Sequence, residues 1–210
     1  MQYIQFKDAL KEFVVFSLID IQRANPHFHH RRLIEWQKKG YIRKVIKGYY
    51  VFSDLPLNEA VLFKIANRIY SPSYISFEMA LAYHGLIPEA VYGLTSASTL
   101  RTYRFKTSLA EFIYTRIKPE LFFGYQLVQL DQCKDQYVKI ASLEKAILDY
   151  FYIHTDIRDE DHFASLRFNQ ERLFQQLDEN KLNQFLEKLS KKTVTKRVRA
   201  FLEFMRHAGS

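Results

Sequence analysis

Residues 25–52 read NPHFHHRRLIEWQKKGYIRKVIKGYYVF, and this stretch decides how the first quarter of the chain folds. Asn25 and Pro26 are an N-cap residue and a proline suited to the first helical position, so they predict a helix that starts at Pro26. Gly40 predicts its end, because glycine readily adopts the left-handed conformation found just past a helix C-terminus. Two β-rich runs around a Lys-Gly pair then predict a β-hairpin.

The helix predicted from Pro26 to Lys39 has an apolar seam and a largely basic surface. Leu33 and Trp36 fall on one face, with His29 one turn earlier. Helix-turn-helix proteins lay a helix of this kind in the DNA major groove. The hairpin is also basic, through Arg43, Lys44 and Lys47.

The segment before this stretch completes a recognisable order of elements. Residues 2–13 have a helical pattern, and Ser17 opens a second, shorter one. Helix, helix, helix and hairpin, in that order, predict a winged helix-turn-helix domain over residues 1–54. The turn-forming run Ser53-Asp54-Leu55-Pro56 marks its boundary.

Residues 55–210 predict a mixed helix-and-sheet domain, so the fold class is α+β. The β-rich runs VYGLTSAST, AEFIYTRI and YQLVQL predict a small mixed or antiparallel sheet. Ser76 and Ser142 are predicted N-caps. Helical patterns lie around residues 57–69, 76–84, 142–153, 169–189 and 193–207.

The positive charge is concentrated at the two ends of the chain. Lys and Arg number 31 against 23 Asp and Glu, a net charge of +8. The net charge is +5 over residues 1–54, −3 over 55–180 and +6 over 181–210. This distribution favours a partner that is a polyanion such as DNA, although a solvated basic surface would have the same composition.

The last helical run, SKKTVTKRVRAFLEFMRHA, combines an apolar stripe with a basic face. The stripe predicts that this helix docks on the core. Its charges either are solvated or make a second DNA contact, and the residues in question are Lys196, Arg197 and Arg199.

The sequence gives little reason to expect an enzyme, a cofactor or a metal. His27, His29 and His30 have poor metal-ligand spacing, because successive helical residues point about 100° apart. They are interpreted as surface or core histidines, with His27 or His30 near a phosphate. The acidic cluster Asp156, Asp159, Glu160, Asp161 and His162 is interpreted as a solvated loop.

Cysteine content and hydropathy bear on the cellular compartment. Cys133 is the only cysteine, so no internal disulfide is possible. No apolar run approaches the length of a membrane span, and the first twenty residues include the charged side chains of Lys7, Asp8, Lys11 and Glu12. A cytoplasmic protein is therefore expected.

The chain resembles AbiEi antitoxins, the antitoxin half of type IV toxin-antitoxin systems. Four segments carry the resemblance in this order: LIEWQKKGYIRKVIKGYYVF, YISFEMALAYHGLIPE, FKTSLAEFIYTRIKPELFFGY and ASLEKAILDYFY. The resemblance implies an N-terminal operator-binding domain that represses the protein's own operon. It also implies a C-terminal domain that antagonises an AbiEii-type nucleotidyltransferase toxin, as in phage defence, with direct contact left open.

The family's pattern implies which side chains meet operator DNA. They are Arg31, Arg32, Lys38, Arg43, Lys44 and Lys47. Trp36 stands where a smaller aliphatic residue is usual, and the histidine-rich helix start is unlike the family, so base preference does not carry over. The alternatives are a winged-helix regulator unrelated to a toxin and a nucleic-acid-processing enzyme that uses the acidic cluster.

Overall fold

A computed structural model of the chain describes residues 2–88, 93–129 and 137–207. The fold is α+β, with a three-stranded sheet near the N-terminus and a six-stranded sheet after it. Cys133 lies outside the described residues. Within the described ranges, every helix is too short or too polar to reach across a lipid bilayer.

Residues 2–54, here called the N-terminal unit, contain three helices and three short strands. In chain order these elements are α1 (Tyr3–Leu10), β1 (Phe16–Ser17), α2 (Leu18–Ala24), α3 (Arg31–Lys38), β2 (Ile42–Ile46) and β3 (Tyr49–Phe52).

Local signals in the sequence account for most of these element ends. Ser17 caps α2: its hydroxyl oxygen accepts from the Asp20 N–H at 3.2 Å, and the Asp20 carboxylate accepts from the Ser17 N–H at 2.8 Å. Gly40 has a φ of 69° just after α3, and Gly48 has a φ of 86° in the turn between β2 and β3. The predicted helix end and hairpin turn are therefore confirmed.

The predicted start of α3 is wrong, because the helix begins at Arg31 instead of Pro26. Asn25 ends α2, and its side-chain oxygen accepts from the His27 N–H at 3.0 Å, which closes a turn. In a helix from Pro26, His29 would face the core and Phe28 would face solvent. Breaking the helix reverses this arrangement, so that Phe28 is buried and His29 is exposed.

An aromatic core holds the N-terminal unit together. Trp36 packs against Phe6 at 4.5 Å and against Phe28 at 5.7 Å between ring centroids. Phe6 also stacks on Phe28 at 5.5 Å and meets Phe16 edge-on at 5.6 Å. Large rings supply much buried apolar area per residue, which a unit of this size needs for stability.

The three-stranded antiparallel sheet, in the order β1-β3-β2, has two buried faces. Alternation along β3 sends Tyr50 and Phe52 into the aromatic core and Val51 into the larger core formed by the rest of the chain. Val15 and Val45 join that larger core. The sheet therefore lies between the aromatic core of the N-terminal unit and the residues after 54, here called the C-terminal unit.

The C-terminal unit is built on a six-stranded mixed sheet in the order β6-β7-β5-β4-β9-β8. Its elements are α4 (Glu59–Ile69), β4 (Ser73–Ile75), α5 (Phe77–Tyr83), β5 (Leu94–Ser98), β6 (Tyr103–Lys106), β7 (Glu111–Arg116), a 3-10 turn (Pro119–Leu121), β8 (Tyr125–Val128), β9 (Val138–Ala141), α6 (Leu143–Ile153), α7 (Glu160–Ser165), α8 (Gln170–Gln176), α9 (Glu179–Leu189) and α10 (Lys192–His207).

The sheet confirms three predicted strands and adds three that the sequence pattern missed. The β-rich runs correspond to β5, β7 and β8. Strands β4 and β9 pair in parallel in the interior of the sheet, but each is only three or four residues long. Both lead within two residues into a helix, so their period-2 signal is too short to separate from the helical pattern that follows.

Two predictions about the C-terminal helices need correction. Ser142 caps α6 as predicted, by accepting from the Lys145 N–H, but Ser76 at the start of α5 makes no such bond and donates its hydroxyl to Asp149 instead. The acidic cluster is exposed to solvent as predicted, but it is not a loop throughout, because Asp159 caps α7 by accepting from the His162 N–H at 3.1 Å and the helix begins at Glu160.

One ion pair joins the two units beside the shared sheet, and a second lies within the N-terminal unit. The Arg68 guanidinium of α4 lies 3.0 Å from both carboxylate oxygens of Asp20 in α2. Lys7 of α1 pairs with Asp54, which follows β3. The Asp20 side chain is only 3% exposed, so this carboxylate belongs to the junction between the units.

Candidate nucleic-acid interface

Helix α3 separates its side chains as the sequence predicted. Leu33 and Trp36 are buried at 3% and 4% exposure, whereas Arg31 and Lys38 are exposed. At about 100° per residue, Ile34 and Glu35 lie on either side of the line that joins the two cations. We call Arg31, Ile34, Glu35 and Lys38 the α3 outer face; all four are exposed.

The segment between α2 and α3 holds the remaining residues expected near this helix. His27 and His30 are exposed and lie before the helix, not on it. The His30 ring meets the buried Phe28 ring edge-on at 6.5 Å. Arg32, in the first turn of α3, is half-buried, so its side chain is less accessible than that of Arg31.

The hairpin divides its three basic residues between two faces. Lys44 and Lys47 are exposed. Arg43 is half-buried opposite Val51, on the face that turns toward the C-terminal unit, and its Nη2 lies 3.5 Å from the Ser53 carbonyl oxygen. Arg43 is therefore poorly placed for an external partner.

Arg197 of the C-terminal helix is occupied by an internal contact. Its guanidinium donates to the carbonyl oxygens of His154 at 2.6 Å and Phe151 at 2.7 Å, at the C-terminal end of α6. Burial and the neighbouring Arg158 lower the pKa of Arg197. A cation that satisfies the last carbonyls of a helix stabilises the fold, so we remove Arg197 from the expected DNA-facing set.

Lys196 and Arg199 differ from Arg197 in being exposed. Both line an open groove of about 690 Å³ between α9 and α10, together with Lys191 and Lys192. Glu187 and Glu203 also line it, so the groove is basic but not purely so.

The acidic residues of the N-terminal unit are mostly paired away from α3. Asp8 of α1 lies 3.1 Å from Lys11, Asp54 pairs with Lys7, and Asp20 pairs with Arg68 at the junction. In the part of the chain that the structure describes, no such ion pair involves the exposed cations Arg31, Lys38, Lys44 and Lys47. Their charge is thus free to act on an anionic partner.

A buried polar cluster in the C-terminal unit was missed by the sequence reasoning. Asp149 of α6 accepts from the Tyr74 hydroxyl at 2.8 Å and from the Ser76 hydroxyl at 2.7 Å, and it pairs with Lys145 one turn earlier. Burial lowers the pKa of Lys145, and Asp149 opposes this effect. All four side chains are fully buried, so the cluster joins α6 to β4 and cannot meet a solute.

The buried Lys-Asp pair had a visible signal in the sequence. Lys145 and Asp149 stand four residues apart inside the apolar run LEKAILDYF, a spacing that puts both on one face of a helix.

Elsewhere, His154 pairs with Glu78 at 2.9 Å. Over the described ranges, His, Cys, Asp and Glu side chains form no group of three or more suited to a metal ion.

Comparison with known proteins gives no family for the chain: no protein-family model matches it, and no curated protein matches it.

Proposed function

We propose that this chain is a cytoplasmic DNA-binding autorepressor whose N-terminal unit is a winged helix-turn-helix. We further propose that it is the antitoxin of a type IV toxin-antitoxin operon and counters an AbiEii-type nucleotidyltransferase. The observation that carries the DNA-binding part is the α3 outer face, which presents Arg31 and Lys38 on a helix whose other side is anchored by Leu33 and Trp36.

The order of elements and the charge pattern support the DNA-binding part. The unit has three helices and a three-stranded antiparallel sheet whose last two strands form a hairpin; these elements support a winged helix-turn-helix, in which α3 would lie in the major groove. Lys44 and Lys47 on the hairpin would meet the backbone beside it, and phosphate contacts supply most sequence-independent affinity. Lys196 and Arg199 are proposed as secondary contacts.

The antitoxin part rests on the resemblance of four segments of this sequence to AbiEi antitoxins. Three of them lie in the C-terminal unit. One supplies β4 and α5, one supplies β7 and the turn after it, and one supplies most of α6. The first and last of these segments supply the buried Asp149 cluster, and Phe122 and Phe123 of the middle segment pack against its Tyr74 and Lys145, so the three meet at one point of that unit.

The proposal gives the chain no catalytic turnover. The carboxylate of Asp149 is fully enclosed and held by three donors. Asp159 of the acidic cluster is used as a helix cap. Neither group is arranged with a nucleophile and base around an open site.

The test of DNA binding is a salt titration with the fragment upstream of the protein's own gene. Each lost phosphate contact lowers the log-log salt slope by about 1. Arg31→Glu and Lys44→Glu should therefore each weaken DNA binding and make its salt dependence shallower. Lys106→Glu, an exposed cation on β6 of the C-terminal unit, is the matched control and should leave it unchanged. Affinity that does not vary with salt would contradict the proposal.

The test of antitoxin action is co-expression with the protein encoded by the adjacent open reading frame. We expect the full chain to restore growth, and the full-length Arg31→Glu, Lys44→Glu variant to restore growth while a promoter reporter is derepressed. A neighbour that is not a nucleotidyltransferase would leave the DNA-binding proposal standing and refute the antitoxin part. Loss of rescue in that variant would show that neutralisation requires DNA binding.

A further inference from the structure

Ile34 is an exposed isoleucine at the centre of the helix that we propose reads DNA. Its exposed fraction is 57%, although its neighbour Leu33 is 3% exposed in the core. A β-branched residue is a poorer helix former than the straight-chain polar residues that suit exposed helix positions. Neither burial in the core nor helix propensity therefore accounts for an isoleucine at position 34.

The residues around Ile34 divide the α3 outer face by chemistry. Arg31 and Lys38 stand near the two ends of the helix, and both are suited to phosphates. Ile34 and Glu35 lie between them, and neither an alkyl group nor a carboxylate gains from contact with a phosphate. This division is expected if the two ends of α3 contact the DNA backbone and its middle contacts base edges.

The major groove offers one apolar group, the C5 methyl of thymine. We infer that Ile34 packs against a thymine methyl and thereby selects A·T pairs at that point of the operator. This inference rests on the proposed DNA-binding function and adds a base preference to it.

The experiment is a double-mutant cycle between the side chain and the methyl group. The probe is the fragment upstream of the protein's own gene, prepared once with thymine and once with uracil, which lacks only the C5 methyl. Uracil should weaken binding of the wild-type protein by about fourfold for each methyl group that Ile34 buries. Ile34→Ala should weaken binding to thymine DNA and lose this sensitivity to uracil.

Two controls separate methyl recognition from other effects. Ile4→Ala removes an exposed isoleucine of α1, 78% exposed, and should keep the full response to uracil. Uracil also alters DNA stiffness, and such an effect would persist equally in Ile34→Ala. Alanine is a good helix former, and circular dichroism checks that α3 is retained.

Each outcome has a distinct meaning. Equal sensitivity to uracil in the wild type and Ile34→Ala, or insensitivity in both with salt-dependent binding intact, would overturn the inference and leave the proposed function standing. An altered oligomeric state of Ile34→Ala with unchanged DNA affinity would instead assign Ile34 to self-association and overturn it as well. Absence of binding by the wild type to either DNA at low salt would refute the proposed function itself.

Discussion

Replacing Asp20 with alanine should destabilise the protein through the junction between its two units. The Asp20 carboxylate accepts from the Ser17 N–H at 2.8 Å and from the Ser17 hydroxyl at 2.7 Å, and it pairs with Arg68 at 3.0 Å. Leaving the buried donors of Ser17 unsatisfied costs about 2 kcal/mol. Arg68 is 49% exposed and is rehydrated, so its loss adds at most about 1 kcal/mol.

Urea unfolding of the full chain measures this effect. A total loss of about 3 kcal/mol corresponds to a midpoint lower by about 1–2 M urea at an m-value of about 2 kcal/mol/M. Asp8→Ala is the matched control, because Asp8 pairs with Lys11 at 3.1 Å but is 74% exposed. Its midpoint should stay within about 0.3 M of wild type. Equal midpoints for the two variants would refute the argument.

The same carboxylate predicts a pH dependence. Burial alone would raise the pKa of Asp20, but the hydrogen bonds from Ser17 and Arg68 outweigh it and hold the pKa below its ordinary value of 3.8. A lowered pKa in the folded state gives stability that is present above the unfolded pKa and is lost as pH falls through the folded one. The stability advantage of wild type over Asp20→Asn should therefore be constant near neutral pH and fade below about pH 4.

Two further predictions concern residues whose roles the structure reassigned. Arg197→Ala should lower the free energy of unfolding by about 2 kcal/mol by freeing two carbonyls of α6, whereas the exposed Arg199→Ala should change it by less than about 0.5 kcal/mol; equal effects in urea unfolding would contradict the internal role of Arg197. Phe28→Ala should cost about 3 kcal/mol and His29→Ala almost nothing, and thermal unfolding that ranks them in the opposite order would return His29 to the core.

Local chemistry in the sequence predicted the parts of the fold that depend on near neighbours. The caps at Ser17 and Ser142 and the turn glycines Gly40 and Gly48 were all identified from residues within a few positions of each other. The burial of Leu33 and Trp36 followed from helical periodicity over two turns.

The parts that were missed depend on partners far along the chain. Phe28 leaves the helical pattern because Phe6, more than twenty residues away, supplies a ring for it to stack on. Arg197 resembles any surface cation until α6 presents its last carbonyls. The sequence predicted the exposed cations of the α3 outer face but not the exposure of Ile34, because an exposed isoleucine has no periodic signal of its own.

The small sheet with two buried faces has a consequence for how the protein evolves and can be engineered. Tyr50 and Phe52 pack in the aromatic core and Val51 packs in the larger core, so alternate positions of a single strand contact different parts of the protein. The N-terminal unit, cut out after Phe52 and grafted onto another protein, would carry an apolar strip that in this chain packs against the C-terminal unit. A different N-terminal unit joined to this C-terminal unit would have to supply an equivalent apolar strip in place of Val15, Val45 and Val51. We therefore expect the contacting residues of the N-terminal and C-terminal units to change together across relatives. We also expect the two units to unfold in one cooperative transition.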